Sequence, residues 1–216
     1  MVPFPIKPAK YLYSRSEVLQ RPSPVPKAHG LYAWYFREVP DGVPIDGCLT
    51  LNGNTLLYLG IAPDKANKPN SRATLLSRMR HHYCGNAEGS TLRRTLGVLL
   101  ESKSRFPLRR VGSGKRVTLT HAGERWLDKW MAKNAFVAWA THPEPWTVEK
   151  GLLRQISCPL NIADNNHNPF AAVLKKMRTE ALQKARALPI ADENNQTRRI
   201  AASVAKLSEL VRKPKL

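Results

Sequence analysis

Two aromatic segments close together in the chain constrain the fold most. Residues 30–36 read GLYAWYF and residues 55–61 read TLLYLGI. Each has the length and aromatic content of a β-strand. Between them, 37–54 holds Pro40, Asp41, Gly42, Pro44, Gly47 and Gly53, a composition that forms a long connection rather than a helix. A parallel pair needs a crossover, usually a helix. Strands joined without one run antiparallel. The period of two puts Tyr32, Trp34 and Phe36 on one face of the first strand, and Tyr58 and Gly60 on one face of the second.

The remaining elements follow from spacing and caps. Ser71 is expected to cap a helix over 71–83, with Leu75, Leu76, Met79 and Tyr83 inward and Arg78 and His82 together on one shoulder. A second helix starts at Ser90 or Thr91. Residues 101–116 read as a basic loop. Thr120 caps a helix to about 133, with Trp126, Leu127, Trp130 and Met131 as its core face. Residues 135–141 (AFVAWAT) form a third strand, and helices follow over 145–156 and within 166–188. The order predicts an α/β (α+β) domain, with a small, mostly antiparallel three-stranded sheet flanked by helices. Residues 1–29 form a proline-rich arm. Residues 189–216 form a linker and basic tail, with helical spacing at 200–213.

Composition narrows the function classes. The chain has 216 residues, 35 Lys+Arg against 16 Asp+Glu, and a formal charge of +19. Hydrophobic residues make up 42%, too many for a wholly disordered chain. No apolar run is long enough to span a membrane. The start, MVPFPIKPAK, does not read as a secretory signal. Cys48, Cys84 and Cys158 lie in no CxxC pattern and read as reduced thiols of a cytoplasmic protein. The charge is concentrated: 65–116 holds 13 basic and 2 acidic residues, and 165–216 holds 11 and 4. Such a distribution is the footprint of a polyanion partner, nucleic acid first.

Three features carry candidate chemistry. Glu149 precedes Leu152, Leu153 and Ile156 at helical spacing, which puts a carboxylate on an apolar stripe. Burial there requires either an arginine or a metal ion as partner. Tyr32 and Tyr58 each sit near a glycine, where a ligand or backbone can approach closely. Arg78, at the edge of its helix's core stripe, has the fork geometry for a phosphate. Ser90, Thr91, Arg93 and Arg94 begin a helix whose free N–H groups suit anions. Arg109, Arg110, Lys115 and Arg116 add basic side chains from the following loop, and all eight are candidate nucleic-acid contacts. His81, His82 and Cys84 cannot complete a tetrahedral zinc set. GSGK at 112–115 lacks the spacing of a nucleotide phosphate loop.

Taken in order, these residues resemble the GIY-YIG nuclease family over about 30–162. The first tripeptide stands as Gly30-Leu31-Tyr32 and the second as Tyr58-Leu59-Gly60. LLSRMRHHY supplies the helix arginine, Arg78 (with Arg72 and Arg80 as competitors), and His82 one turn on. Glu149 and Cys158-Pro159-Leu160-Asn161 match the later glutamate and asparagine. Residues 37–54 and about 85–134 are then insertions.

The resemblance implies a metal-dependent endonuclease acting on DNA, with RNA left open. Glu149 would hold one Mg²⁺ or Mn²⁺ ion. Tyr32 would orient or activate the attacking water, and Arg78 would stabilise charge on the phosphate. Tyr58 and His82 would assist by hydrogen bonding. Gly30, Gly60 and Asn161 would be structural. The alternative is a binding module that keeps the fold without cleavage.

Overall fold

The computed structural model describes residues 11–63 and 73–193. Ser71, Arg72 and the 200–213 segment lie outside them. The chain runs α1 (Arg15–Leu19), β1 (Gly30–Phe36), β2 (Thr50–Leu51), β3 (Asn54–Ala62), α2 (Leu75–Cys84), α3 (Thr91–Leu99), α4 (Glu101–Ser104), β4 (Arg109–Val111), β5 (Arg116–Thr118), α5 (His121–Asn134), β6 (Ala135–Thr141), α6 (Trp146–Leu153) and α7 (Pro169–Ala187).

The main sheet has the order β2-β3-β1-β6, and every pairing is antiparallel. It has four strands, not the three expected. The extra strand is only two residues long and turns into β3 through Asn52-Gly53, both at positive φ. That is the backbone a two-residue hairpin needs, and Asn-Gly supplies it at least cost. The basic 101–116 stretch is also more ordered than a loop. It holds α4, and β4 and β5 close a separate hairpin over a Gly112–Gly114 turn. The GSGK sequence is therefore a hairpin turn.

Both faces of the sheet are covered. On one, Tyr32, Trp34, Phe36 and Tyr58 pack with Met79 and Tyr83 of α2, Leu92 and Leu96 of α3, Leu127 and Met131 of α5 and Leu174 of α7. On the other, Leu31, Tyr35, Leu56 and Leu59 pack with Leu152 and Leu153 of α6. Alternation along β1 thus sorts side chains to opposite cores. β3 departs from it, because Trp34 pairs with Tyr58 while Tyr35 pairs with Leu56. The extra residue, Leu57, is a β-bulge, and Leu57 and Tyr58 both end in the first core. Beyond the bulge, Tyr32 lies directly across from Gly60.

Thr74, rather than Ser71, caps α2, sharing a reciprocal capping box with Ser77. Thr120 caps α5. The Tyr83 hydroxyl donates to the Ala135 carbonyl at 2.9 Å, fixing α2 to the start of β6. Tyr13 exchanges two backbone bonds with Val137, each 2.9 Å, so the N-terminal segment lies against the outer edge of β6.

Candidate active site

Gly60 leaves the space that Tyr32 fills. A Cβ at Gly60 would stand 2.6 Å from the Tyr32 ring and hydroxyl, well inside contact distance. Gly30 is equally constrained, since a Cβ there would meet the Ala140 carbonyl at 2.2 Å. These glycines let two strands and a phenol approach as closely as they do.

Behind Tyr32 stands His82, fully buried. Its Nε2 lies 2.8 Å from the Tyr32 hydroxyl and its Nδ1 lies 2.8 Å from Ser90 Oγ. Ser90 Oγ also accepts the Arg93 backbone N–H at 3.1 Å. Burial, aided by the nearby Arg78, His81 and Arg93 charges, drives the His82 pKa well below the ordinary imidazole value. The ring is neutral, with one N–H and one lone pair to divide between Ser90 and Tyr32. His82 therefore sits buried behind Tyr32, hydrogen-bonded to its hydroxyl.

This arrangement has a consequence for stability. An unfolded histidine titrates near 6.5. The folded His82 titrates lower, so between the two values the unfolded chain binds the extra proton. Stability is then complete above about pH 6.5 and falls as pH drops through that window, by about 1.4 kcal/mol per unit. Urea midpoints measured between pH 7.5 and 5 are expected to show this slope, and His82→Gln to flatten it. An equal slope in the variant would assign it to other groups.

Asn161, nearly buried, closes the strand that carries Tyr58. Its Oδ1 accepts the Leu59 N–H at 2.9 Å and its Nδ2 donates to the Leu59 carbonyl at 2.8 Å. The carboxamide thus acts as a one-residue strand partner. Asn165 holds this turn by donating to the Cys158 and Asn161 carbonyls, each at 3.0 Å.

One open cavity of about 530 Å³ brings the strand, helix and turn residues together. Tyr32, Tyr58, Gly60, Arg78, Glu149 and Asn161 all line it. The Glu149 side chain is half-exposed, while Leu152 and Leu153 carry the packing of α6. Burial pushes the Tyr58 phenol far above its ordinary value, more than the Arg78 charge can offset. Thr91, exposed at the first position of α3, also lines the cavity.

The basic candidates fare differently. Arg93 is fully buried. It pairs with Glu124 at 2.6 Å and Asp128 at 2.7 Å, and donates to the His82 and Tyr83 carbonyls. Ser90 is also fully buried, engaged with His82 and Arg93. Neither can meet a phosphate backbone, which corrects the reading of this helix start. Arg94 is half-buried and donates to the Ala87 and Glu88 carbonyls. Arg109 and Arg110 donate to the Pro189 and Leu188 carbonyls, tying the hairpin to the end of α7. Lys115 and Arg116 are exposed, with Arg116 4.0 Å from Glu88.

Two charged residues that line the cavity escape the sequence reading, Asp164 and Arg178. Arg178 had a usable signal. It falls on the α7 stripe of Ala171, Leu174, Ala181 and Ala185, as Glu149 falls on its own.

The family model of the GIY-YIG catalytic domain matches residues 30–180, more than half of the chain. The chain belongs to the GIY-YIG family. No curated protein and no solved structure matches it. The match extends past the Asn161 turn and covers α7 as far as residue 180. A GIY-YIG domain is a nuclease-type fold whose members are generally endonucleases, typically use divalent metal ions, and act on nucleic acid. Among the described residues, no helix is long and apolar enough to cross a membrane.

Proposed function

We propose that this GIY-YIG protein is a metal-dependent endonuclease that hydrolyses phosphodiester bonds in DNA. The observation that carries this reading is the convergence of Tyr32, Tyr58, Arg78 and Glu149, from four different elements, on one open cavity. The donor set suits a hard cation. Glu149 and Asp164 are the carboxylates lining the cavity, and no cluster of three or more His, Cys, Asp or Glu that could hold a metal occurs among the described residues. Mg²⁺ and Mn²⁺ are the ions that accept few protein ligands and retain water. Glu149 would hold the ion, with Asp164 nearby in the cavity wall. When bound, such an ion neutralises charge on the phosphate and the leaving oxygen.

The chain's own groups do the rest. In the tautomer that donates Nδ1–H to Ser90, His82 Nε2 accepts a hydrogen bond from the Tyr32 hydroxyl and fixes its orientation. Tyr32 then accepts a hydrogen bond from the attacking water and orients it toward the phosphate. Arg78 binds a phosphate oxygen and stabilises the added charge of the transition state. Tyr58, held protonated, donates a hydrogen bond into the cavity. The three free thiols, Cys48, Cys84 and Cys158, suit a reducing, cytoplasmic setting.

A nicking assay tests this. Supercoiled and branched DNA are incubated with the protein in Mg²⁺, Mn²⁺ or EDTA. Product is expected with either ion and none in EDTA. Cleavage that persists in EDTA would sink the mechanism. Salt-sensitive binding without product on any substrate would leave a binding module of the same fold.

A further inference from the structure

The cavity contains a second arginine that the reaction above leaves unused. Arg178 comes from the middle of α7, on a stripe otherwise built of Ala171, Leu174, Ala181 and Ala185. The side chain is half-buried and faces the same cavity as Glu149, Arg78 and the two tyrosines. Burial lowers its pKa, and the neighbouring Arg94 lowers it further. Among the described residues, no ion pair or hydrogen bond holds its guanidinium.

A cation in that position is costly without an anion. Arg93 shows how this chain satisfies a buried arginine, with two carboxylates and three carbonyls. Among the described residues Arg178 has nothing of the kind, and the neighbouring Arg94 repels it. Its place on the cavity wall leaves the guanidinium open to an anion that enters the cavity. A guanidinium fork fits a phosphate through two parallel hydrogen bonds. Arg78 and Arg178 reach the same cavity from different helices, α2 and α7.

We propose that Arg178 binds a backbone phosphate of the nucleic acid next to the scissile one, so that α7 forms one wall of the substrate channel. This rests on the nuclease reading of the cavity. It adds a contact that positions the strand instead of stabilising the reacting phosphate. Arg94, beside Arg178, strengthens the local positive potential while its own donors are occupied by carbonyls.

The test uses the full chain and a fluorescein-labelled DNA duplex in EDTA, so that no cutting occurs, with anisotropy measured over a range of salt. Arg178→Gln is expected to weaken binding about tenfold, the worth of one charge-assisted contact. It should also lower the slope of log affinity against log salt by about 0.9, the signature of one lost phosphate contact. Arg178→Lys should keep the slope. A neutral methylphosphonate at one position flanking the cut should reproduce the loss in the wild type, without the risk of a misfolded variant. Unchanged affinity and slope in Arg178→Gln would overturn the proposal. So would a methylphosphonate scan with no sensitive flanking position, or a variant that loses kcat with KM and binding intact. Wild type that binds the duplex without cutting it refutes the nuclease reading alone and leaves this contact testable. Wild type that binds neither duplex DNA nor duplex RNA refutes both.

Discussion

Glu149→Gln is expected to reduce DNA cleavage in Mg²⁺ by on the order of a thousandfold or more, with binding and folding kept. The side chain is half-exposed at a cavity wall, and α6 is anchored instead by buried Leu152 and Leu153. Glutamine preserves shape and removes only the charge. Loss of an acidic group from the first turn costs the helix at most about 1 kcal/mol. The melting temperature should therefore move little. Affinity for DNA in EDTA should stay level or rise, because one negative charge is removed from a site meant for phosphate. The decisive comparison is single-turnover cleavage against anisotropy in the same buffer. Equal cleavage rates in variant and wild type would remove Glu149 from the chemistry. A parallel loss of binding would make it a structural residue.

The second large effect concerns stability. Arg93→Met should destabilise the protein by about 3–5 kcal/mol, because it leaves Glu124 and Asp128 facing a site built for a cation. That is a large share of a typical folding free energy of about 5–15 kcal/mol. In a chain of this size it lowers the melting temperature by on the order of 10 °C. The same arginine holds the His82 and Tyr83 carbonyls at the end of α2, so the loss also loosens the support of Tyr32. Thermal melts of Arg93→Met and Arg94→Ala make the check. Arg94 is only half-buried, and its removal should shift the melt far less. A phosphate-binding Arg93 would give the reverse pattern, with an ordinary melt and a reduced salt slope.

The contrast between these two arginines shows what was legible in the chain. The three main strands, the caps at Ser90 and Thr120 and the placement of Arg78 and Glu149 follow from spacing alone. Such patterns are local, and their partners lie within one turn or one strand. Arg93 depended on a residue a helix away. Its stripe of Leu96, Gly97 and Leu100 is wholly apolar, and Glu124 and Asp128 stand four apart on α5 as its counter-charges. Read without α5, a serine cap followed by two arginines is indistinguishable from an anion site. The second strand was missed because two residues give no alternation to read, although Asn52-Gly53 marked the turn. The bulge at Leu57 has no local marker, since it reflects how β3 fits β1. Arg178 was within reach, since a charge on an apolar stripe was the clue that singled out Glu149.

The ends of the sheet carry one more consequence. An open strand edge is a template for another chain, the route to swapped dimers and cross-β stacking. Here each outer strand meets a stopper. On the β6 side, Tyr13 takes both hydrogen-bonding groups of Val137. On the β3 side, β2 pairs with only the first two residues, then Leu160 donates to the Leu57 carbonyl and the Asn161 amide saturates Leu59. The asparagine next to the cavity thus also occupies strand-edge groups that would otherwise be open to pairing with a second copy of the chain.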